Sequence, residues 1–384
     1  MSNLAGIYIH IPFCHSKCTY CSFITGSYEE ELAQRYHQAL LVEIQAKAAL
    51  LSDDARKVDT IYFGGGTPSI LETKLIAQLL QVCYQYFSVS ETAEITIEMN
   101  PADITLAKLS EYRSLGINRT SLGIQSFIDK ELIAIGRDHS VAQAHQALNC
   151  LRHAGFDNIS LDLIAGLPQQ SLKQWQHNLK TALELKPEHL SIYLLEIKSG
   201  TTLAAQIKSG LLASPDEDLA AEMYEHLLVE TTQQGYQQYE ISNFAQVKAD
   251  QLVYSRHNIK YWLDLPYYGF GVSAHSYDGQ TRSANLKSTP RYIEKIIETR
   301  QAVSETSTLT DLEHAKEAFM LNLRLMVGVD LAAFQQRYQL DMLSQYRSEF
   351  SELKDYGLLD LDDQSIRLTP KGILYSNEVF RLFV

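Results

Sequence analysis

The stretch YIHIPFCHSKCTYCSF, residues 8–23, joins a run of alternating apolar residues to a group of three cysteines. Cys14, Cys18 and Cys21 are separated by three and then two residues, and the next cysteine along the chain is Cys83. A structural zinc site requires four ligands, and an iron–sulfur cluster that only transfers electrons usually takes four cysteines. The three thiols are therefore one ligand short for either purpose.

Two kinds of metal site are compatible with three thiols. Zinc could take His10 or His15 as its fourth ligand, which would give a structural site. A 4Fe–4S cluster held by three thiolates would instead leave one iron open to an external ligand. An open iron can chelate S-adenosylmethionine (SAM) through its amino and carboxylate groups. The spacing alone leaves both interpretations open.

Composition and charge exclude several classes of protein. The net charge of −13 argues against nucleic acid as a partner, because binding to phosphates normally requires a basic surface. Five cysteines, three of them clustered, do not form a disulfide framework and favour a reducing compartment. No apolar run is long enough to span a membrane, and the first residues lack the features of a secretory signal. We therefore expect a cytoplasmic protein without a transmembrane segment.

Short β-rich runs alternate with longer helical segments through the first 200 residues or so. Six strand-then-helix units predict a parallel α/β fold, with the strands at 6–11, 59–65, 94–100, 119–125, 158–166 and 189–197. Polar residues collect at the carboxyl ends of these runs, as at the active face of a barrel. Since a closed barrel has eight units, we expect a partial (β/α)6 barrel, and the pattern alone also allows a doubly wound sheet.

The chain is long for one domain, and its pattern changes twice. We expect the barrel at residues 1–235, a capping and connecting region at 236–302, and a mostly helical, winged-helix-like domain at 303–384. The last region carries 8 Lys and Arg against 13 Asp and Glu. Because a DNA-reading wing should be basic, this domain is interpreted as a structural or partner-docking module.

The cysteine spacing C-x3-C-x2-C, with Tyr20 before the last cysteine, resembles that of the radical SAM superfamily. The wider string YIHIPFC…C-x-YC-x-F, followed by GGGTP, is similar to the oxygen-independent coproporphyrinogen III oxidase-like branch over nearly the whole chain. This resemblance implies a 4Fe–4S cluster on Cys14, Cys18 and Cys21, with SAM bound at the open iron.

The resemblance also implies which residues bind SAM. In the family, the glycine motif that corresponds to residues 62–68 holds the methionine end of SAM. Glu98 and Arg137 then fit the ammonium and the carboxylate, and Gln125 and Asp162 fit the ribose hydroxyls. The remaining implied SAM-binding residues are Tyr8, Tyr20, Gly65, Gly66 and Thr67. Taken singly, these residues have ordinary structural explanations as a tight turn, a strand aromatic or a satisfied polar side chain.

Three features distinguish the oxidases from the heme-chaperone branch of this family. Phe23 stands where the oxidases carry a further cysteine, and Cys14 leaves no room for their N-terminal extension. The string RHNIKYW, residues 256–262, matches the HN-x-x-YW motif of the heme-chaperone branch. Histidine is a common proximal ligand of heme iron, and aromatic rings offer flat apolar faces to a porphyrin. The resemblance therefore implies a heme site at His257, Asn258, Tyr261 and Trp262.

The predicted function is that of a heme chaperone. We expect a protein that binds a 4Fe–4S cluster, SAM and heme and passes heme to an acceptor protein, with peripheral membrane contact left open. His275 is a second candidate heme ligand or lies near the SAM pocket, and the sequence does not separate these roles. The first alternative is an oxygen-independent coproporphyrinogen III oxidase, followed by a radical SAM enzyme for another substrate and a zinc-stabilised structural protein.

Overall fold

The computed structural model describes residues 3–383, which form one large sheet, one three-stranded sheet and one short strand pair among many helices. The strands are β1 (Ala5–Ile11), β2 (Phe13–Cys14), β3 (Gly26–Ser27), β4 (Lys57–Gly65), β5 (Ser88–Met99), β6 (Arg119–Gln125), β7 (Ile159–Ala165), β8 (His189–Leu194), β9 (Tyr236–Glu240), β10 (Asn243–Lys248), β11 (Gln251–Leu252), β12 (Tyr267–Phe270), β13 (His275–Tyr277), β14 (Thr281–Asn285), β15 (Val303–Thr308), β16 (Val329–Asp330), β17 (Leu359–Leu361) and β18 (Ser365–Leu368).

The helices connect and cover these strands. They are α1 (Glu30–Leu50), α2 (Thr73–Tyr86), α3 (Leu106–Ser114), α4 (Asp129–Ala134), α5 (Val141–His153), α6 (Leu172–Glu184), α7 (Thr202–Lys208), α8 (Glu217–Gln233), α9 (Arg256–Trp262), α10 (Thr289–Thr299), α11 (Asp311–Asn322), α12 (Leu331–Tyr338), α13 (Met342–Gln345), α14 (Arg347–Asp355), α15 (Pro370–Leu374) and α16 (Ser376–Phe380). In the described part of the chain, no helix is long and apolar enough to cross a membrane.

The six predicted strands form the centre of the large sheet. They lie in the order β8-β7-β6-β5-β4-β1, and every neighbouring pair is parallel. Helical crossovers connect them, as parallel strands require. The prediction of a partial barrel is confirmed, and the sheet is partly open rather than closed.

Alternation along each strand separates an apolar outer face from a polar interior. In β1, Ile7, Ile9 and Ile11 are fully buried against the core, while Tyr8 and His10 occupy the alternate positions. Because side chains alternate between the two faces of a strand, the same pattern places polar groups of the other strands in the barrel interior. The carboxyl ends of the parallel strands bring these groups to one end of the barrel.

Residues 236–308 extend the same sheet at both edges. On one side, β10 pairs antiparallel with β8 and carries β9 and β11. On the other side, β12 pairs parallel with β1 and continues into the antiparallel strands β13, β14 and β15. Strands on both sides of the predicted boundary at residue 235 thus belong to one sheet, and β15 extends it past residue 303.

The C-terminal region is mostly helical, as predicted, and contains a β-hairpin between α14 and α15. Helices α11–α14 precede β17 and β18, which pair antiparallel, while β16 pairs with the other edge of β18. The turn of the hairpin is held by Asp362, whose Oδ1 accepts hydrogen bonds from the backbone N–H groups of Gln364 and Ser365. This arrangement of helices and hairpin is winged-helix-like.

Candidate functional site

A cavity of about 400 Å³ lies at the carboxyl ends of the parallel strands. Its wall contains every predicted cluster residue and most of the predicted SAM residues. These residues are Cys14, Cys18, Tyr20, Cys21, Gly65, Gly66, Thr67, Glu98, Gln125, Arg137 and Asp162. Segments that are far apart in the sequence therefore converge on one cavity.

The cysteine loop between β2 and β3 forms one wall of this cavity. The three thiols are half-buried and free, and Thr67 Oγ1 donates to Cys14 Sγ over 3.6 Å. Burial raises the pKa of Cys14 and of Cys21, so both thiols hold their protons more tightly than usual. Metal binding must therefore release these protons, since thiolates are the ligands. A Cβ at Gly66 would lie 2.9 Å from Cys14 Sγ, which is too close for an ordinary contact. A glycine is therefore needed where the glycine loop passes the cysteine loop.

Both histidines that could have completed a zinc site have other partners. The ring of His10 hydrogen-bonds Tyr8 Oη at 3.1 Å and the carbonyl of Ile24 at 3.2 Å. His15 Nε2 lies 2.7 Å from Asp103 Oδ1. Among residues 3–383, no group of three or more Cys, His, Asp or Glu side chains is arranged to hold a single metal ion. A three-thiol cluster site fits the half-buried loop, whereas the two histidines do not complete a zinc site.

The glycine loop after β4 is tied to Glu98. Gly65 N donates to Glu98 Oε2 over 3.0 Å, and Tyr62 Oη donates to Glu98 Oε1 over 2.8 Å. Gly65 has φ +116°, a backbone conformation that residues with a Cβ rarely adopt. Burial raises the pKa of Glu98 to about 7, although both hydrogen bonds oppose this shift. The carboxyl group is therefore held in a fixed orientation at the cavity wall.

Arg137 places a cation beside the cysteine loop. Its Nη2 donates to the Gly123 carbonyl over 2.6 Å, and its Nη1 donates to Cys18 Sγ over 3.5 Å. Within the described chain, its buried Nε has no hydrogen-bond partner. Guanidinium groups bind carboxylates through paired N–H donors. Arg137 can thus stabilise a thiolate and also contact an anionic group in the cavity.

Gln125 and Asp162 also line the cavity. Gln125 has φ +68°, and the pairing of β6 with β7 shifts between Gly123 and Gln125. A residue other than glycine in the left-handed region is strained, and such residues concentrate at functional sites. Asp162 accepts a 2.9 Å hydrogen bond from Ser121 Oγ, and burial raises its pKa. Both side chains are suited to bind hydroxyl groups.

Tyr8 is not among the residues that line the cavity. Its ring stacks on Tyr62 with the centroids 6.1 Å apart, and it also stacks on His257 at 6.4 Å. Tyr8 therefore occupies the layer beneath the cavity wall. Its predicted contact with SAM stays a prediction.

The HN-x-x-YW residues lie in α9 and do not line the cavity. His257 is 1% exposed, and its ring nitrogens hydrogen-bond Thr60 Oγ1 at 2.8 Å and Tyr261 Oη at 2.9 Å. Burial lowers the pKa of His257 to about 3, so its imidazole is neutral. Iron ligation by this residue would require one of these hydrogen bonds to break. The predicted heme role of the motif stays a prediction.

Trp262, at the end of the motif, contacts residues of the C-terminal region. The Arg324 guanidinium lies 4.3 Å from the Trp262 ring centroid, and Asn322 donates to the Trp262 carbonyl. Asn258 is half-buried in the first turn of α9, where its N–H is capped by Ser255 Oγ. His275, by contrast, is exposed on β13. Of the two candidate heme ligands, His275 is the more accessible.

The structure adds functional candidates that sequence reasoning missed. Tyr62 orients Glu98, and Ser121 orients Asp162. Both residues occupy inward-facing positions on strands that carry predicted site residues. The alternation of side chains along those strands is the signal that could have identified them.

Comparisons with known proteins agree with this geometry. The sequence model of the radical SAM superfamily matches residues 8–182, and that of the HemN C-terminal domain matches residues 309–375. The structure of coproporphyrinogen III oxidase (HemN) from Escherichia coli, described as a radical SAM enzyme, has a TM-score of 0.85 and 27% identity, covering 99% of this chain and 90% of that one. Fold and cavity thus define a radical SAM-type protein.

Curated relatives narrow this class. The heme chaperone HemW of Bacillus subtilis is 35% identical, with 98% of each chain covered. The heme chaperone HemW of Lactococcus lactis is 33% identical, covering 98% of this chain and 96% of the relative. The chain belongs to the HemW family of radical SAM proteins.

Proposed function

We propose that this protein is a heme chaperone that binds a 4Fe–4S cluster, SAM and heme and transfers heme to an acceptor protein. The observation that carries the proposal is the single cavity where the three-cysteine loop meets Glu98 and Arg137. The relatives named heme chaperone HemW support the heme part of the proposal. We place the protein in the cytoplasm, with peripheral membrane contact where acceptors reside.

The cavity residues have distinct roles in this proposal. Cys14, Cys18 and Cys21 would hold the cluster, which supplies an open iron for the amino and carboxylate groups of SAM. Glu98, oriented by its two donors, accepts from the SAM ammonium, and Arg137 pairs with the carboxylate.

The remaining polar groups hold the rest of the ligand. Gln125 and Asp162 accept from the ribose hydroxyls, while the backbone of the glycine loop contacts the methionine end. Tyr20 belongs to the same cavity wall, beside the last cysteine of the loop. Each of these groups is set by its strand or loop before the ligand arrives.

Phe23 favours the chaperone over the oxidase. It is 63% exposed and lies on the cavity wall, where the resemblance places a further cysteine in the oxidases. Phenylalanine has no group that can donate a proton or an electron pair to a substrate. The oxidase remains the second candidate because the HemN structure is similar over nearly the whole chain.

Arg137→Ala is expected to weaken SAM binding about tenfold or more while the cluster is retained. A hydrogen bond to a charged group is worth about 1.5–3 kcal/mol, and the substitution removes the partner of the SAM carboxylate. Equilibrium dialysis with the reconstituted protein measures the affinity. The matched control is Arg367→Ala, which removes an exposed arginine that pairs with Asp360 in the C-terminal hairpin. Unchanged affinity in the Arg137 variant would place the carboxylate elsewhere.

The proposal is tested by offering two tetrapyrroles to the same protein. With coproporphyrinogen III, SAM and a reductant under anaerobic conditions, we expect no protoporphyrinogen IX. With heme, we expect saturable binding and a Soret band that changes when the axial histidine is replaced. His257→Ala and His275→Ala, compared in parallel, identify that ligand. Turnover of coproporphyrinogen would replace the chaperone assignment with the oxidase.

A further inference from the structure

A column of side chains runs through the barrel from α9 to the glycine loop. The ring of His257 stacks on Tyr62 with the centroids 5.1 Å apart and the planes 27° from parallel. Tyr62 Oη donates to Glu98 Oε1 over 2.8 Å, and Gly65 N donates to Glu98 Oε2 over 3.0 Å. We call these four residues the barrel column. It provides direct contacts from the HN-x-x-YW helix to the loop proposed to bind SAM.

At the His257 end of the barrel column, acidic side chains of two strands hold helix α9 in place. The backbone N–H groups of Arg256 and His257 each donate to the Glu94 carboxylate over 3.0 Å. Arg256 and Lys260 both form ion pairs with the buried Asp59. Glu94 and Asp59 belong to β5 and β4, so α9 is fixed to the strands that carry Glu98 and the glycine loop.

Hydrogen bonds from β4 and from α9 itself hold the ring of His257 in place. Thr60 Oγ1 and Tyr261 Oη each hydrogen-bond one ring nitrogen, at 2.8 and 2.9 Å. The ring of Tyr8 stacks on the ring of His257 and on that of Tyr62. The Tyr62 ring therefore stacks on a His257 ring whose position is set by two hydrogen bonds and by the contact with Tyr8.

The hydrogen bond between Tyr62 and Glu98 depends on the stacked ring of His257. A buried carboxyl group must keep its hydrogen-bond partners, because an unsatisfied polar group in the interior is costly. If His257 were truncated, the Tyr62 ring would lie over a void and could move away from Glu98. Glu98 would lose one of its two donors, and its hold on the Gly65 N–H would weaken.

We propose that His257 is a positioning residue for SAM, acting through Tyr62 and Glu98 on the backbone of Gly65. The proposal rests on the proposed function, since it takes the glycine loop as part of the SAM site. It goes further by giving the HN-x-x-YW histidine a role that requires no heme. The flat ring, rather than a free nitrogen, performs this role.

Variants of the full-length, reconstituted protein distinguish the contribution of the His257 ring from that of its nitrogens. His257→Ala removes the support, whereas His257→Phe retains a flat ring without any nitrogen. Tyr62→Phe retains the stack but removes the hydrogen bond to Glu98. The matched control is Tyr268→Phe, because Tyr268 is also buried but donates to the Ala55 carbonyl. Each variant is measured for SAM affinity and for deuterium exchange at the Gly65 amide.

His257→Ala and Tyr62→Phe should weaken SAM binding and speed Gly65 exchange, each about tenfold, as expected for losing a hydrogen bond to a charged group. His257→Phe, which keeps the stacked ring, should be clearly less impaired than His257→Ala, and Tyr268→Phe should stay close to wild type in both measurements. The proposal is overturned if His257→Ala matches wild type, or if His257→Phe is as impaired as His257→Ala. If wild type binds no SAM, the proposed function fails, while Gly65 exchange still decides whether the column acts.

Discussion

Replacing Cys14, Cys18 or Cys21 with alanine is expected to abolish the iron–sulfur absorbance of the anaerobically reconstituted protein. Three thiolates are the minimum that can hold a 4Fe–4S cluster with one open iron. Neither His10 nor His15 can compensate, because Tyr8, Ile24 and Asp103 engage their rings. Loss of any one thiol therefore removes a ligand that the loop cannot replace. Absorbance and iron content after reconstitution measure the effect.

The remaining cysteines are the matched controls. Cys83 is fully buried in α2, and Cys150 is half-buried in α5, both away from the cavity. Cys83→Ser and Cys150→Ser should retain the full iron content, even if Cys83→Ser lowers stability. Stoichiometric zinc without iron in the wild type would contradict the cluster assignment.

Asp264→Ala is expected to destabilise the protein by about 3–5 kcal/mol, as when one partner of a buried charged network is removed. Asp264 Oδ2 lies 2.6 Å from His314 Nε2 and accepts hydrogen bonds from Tyr338 Oη at 2.9 Å and Tyr277 Oη at 3.2 Å. Arg337 donates to the Asp264 backbone carbonyl over 2.7 Å. The aspartate thus joins the sheet extension to α11 and α12 of the C-terminal region.

Two further variants show whether the Asp264 network causes the loss. Asp264 has φ +52°, which asparagine tolerates better than alanine. Asp264→Asn should therefore cost clearly less than Asp264→Ala. Asp360→Ala, which removes the exposed partner of Arg367, should leave stability nearly unchanged. Urea unfolding measures all three, and equal midpoints for Asp264→Ala and wild type would contradict the predicted role.

The central strands could be predicted because their signal is local. The run 119–125 coincides with β6, and the run 59–65 falls within β4. Short β-rich runs that alternate with longer helical segments can be recognised in a single sequence. The sheet extension by β12–β15 could not be predicted, because β12 pairs with β1 across more than 250 residues of chain.

The candidate site shows the same division. Polar residues at strand ends and in the cysteine loop could be assigned to one cavity, since parallel strands end at one edge. The sequence around a residue does not indicate how deep in the barrel its side chain lies. Tyr8 and His257 therefore could not be distinguished from wall residues, although both lie one layer below. Tyr62 was missed because an inward-facing tyrosine resembles any strand aromatic.

The most direct test of the central claim is an equilibrium titration of the reconstituted full-length protein with heme, followed by its Soret absorbance. The chaperone assignment predicts saturation at about one heme per chain, because a single axial histidine defines a single site. It also predicts that the bound heme can pass to an acceptor protein that lacks heme. A titration without saturation, or one unaffected by replacing both His257 and His275, would contradict the assignment.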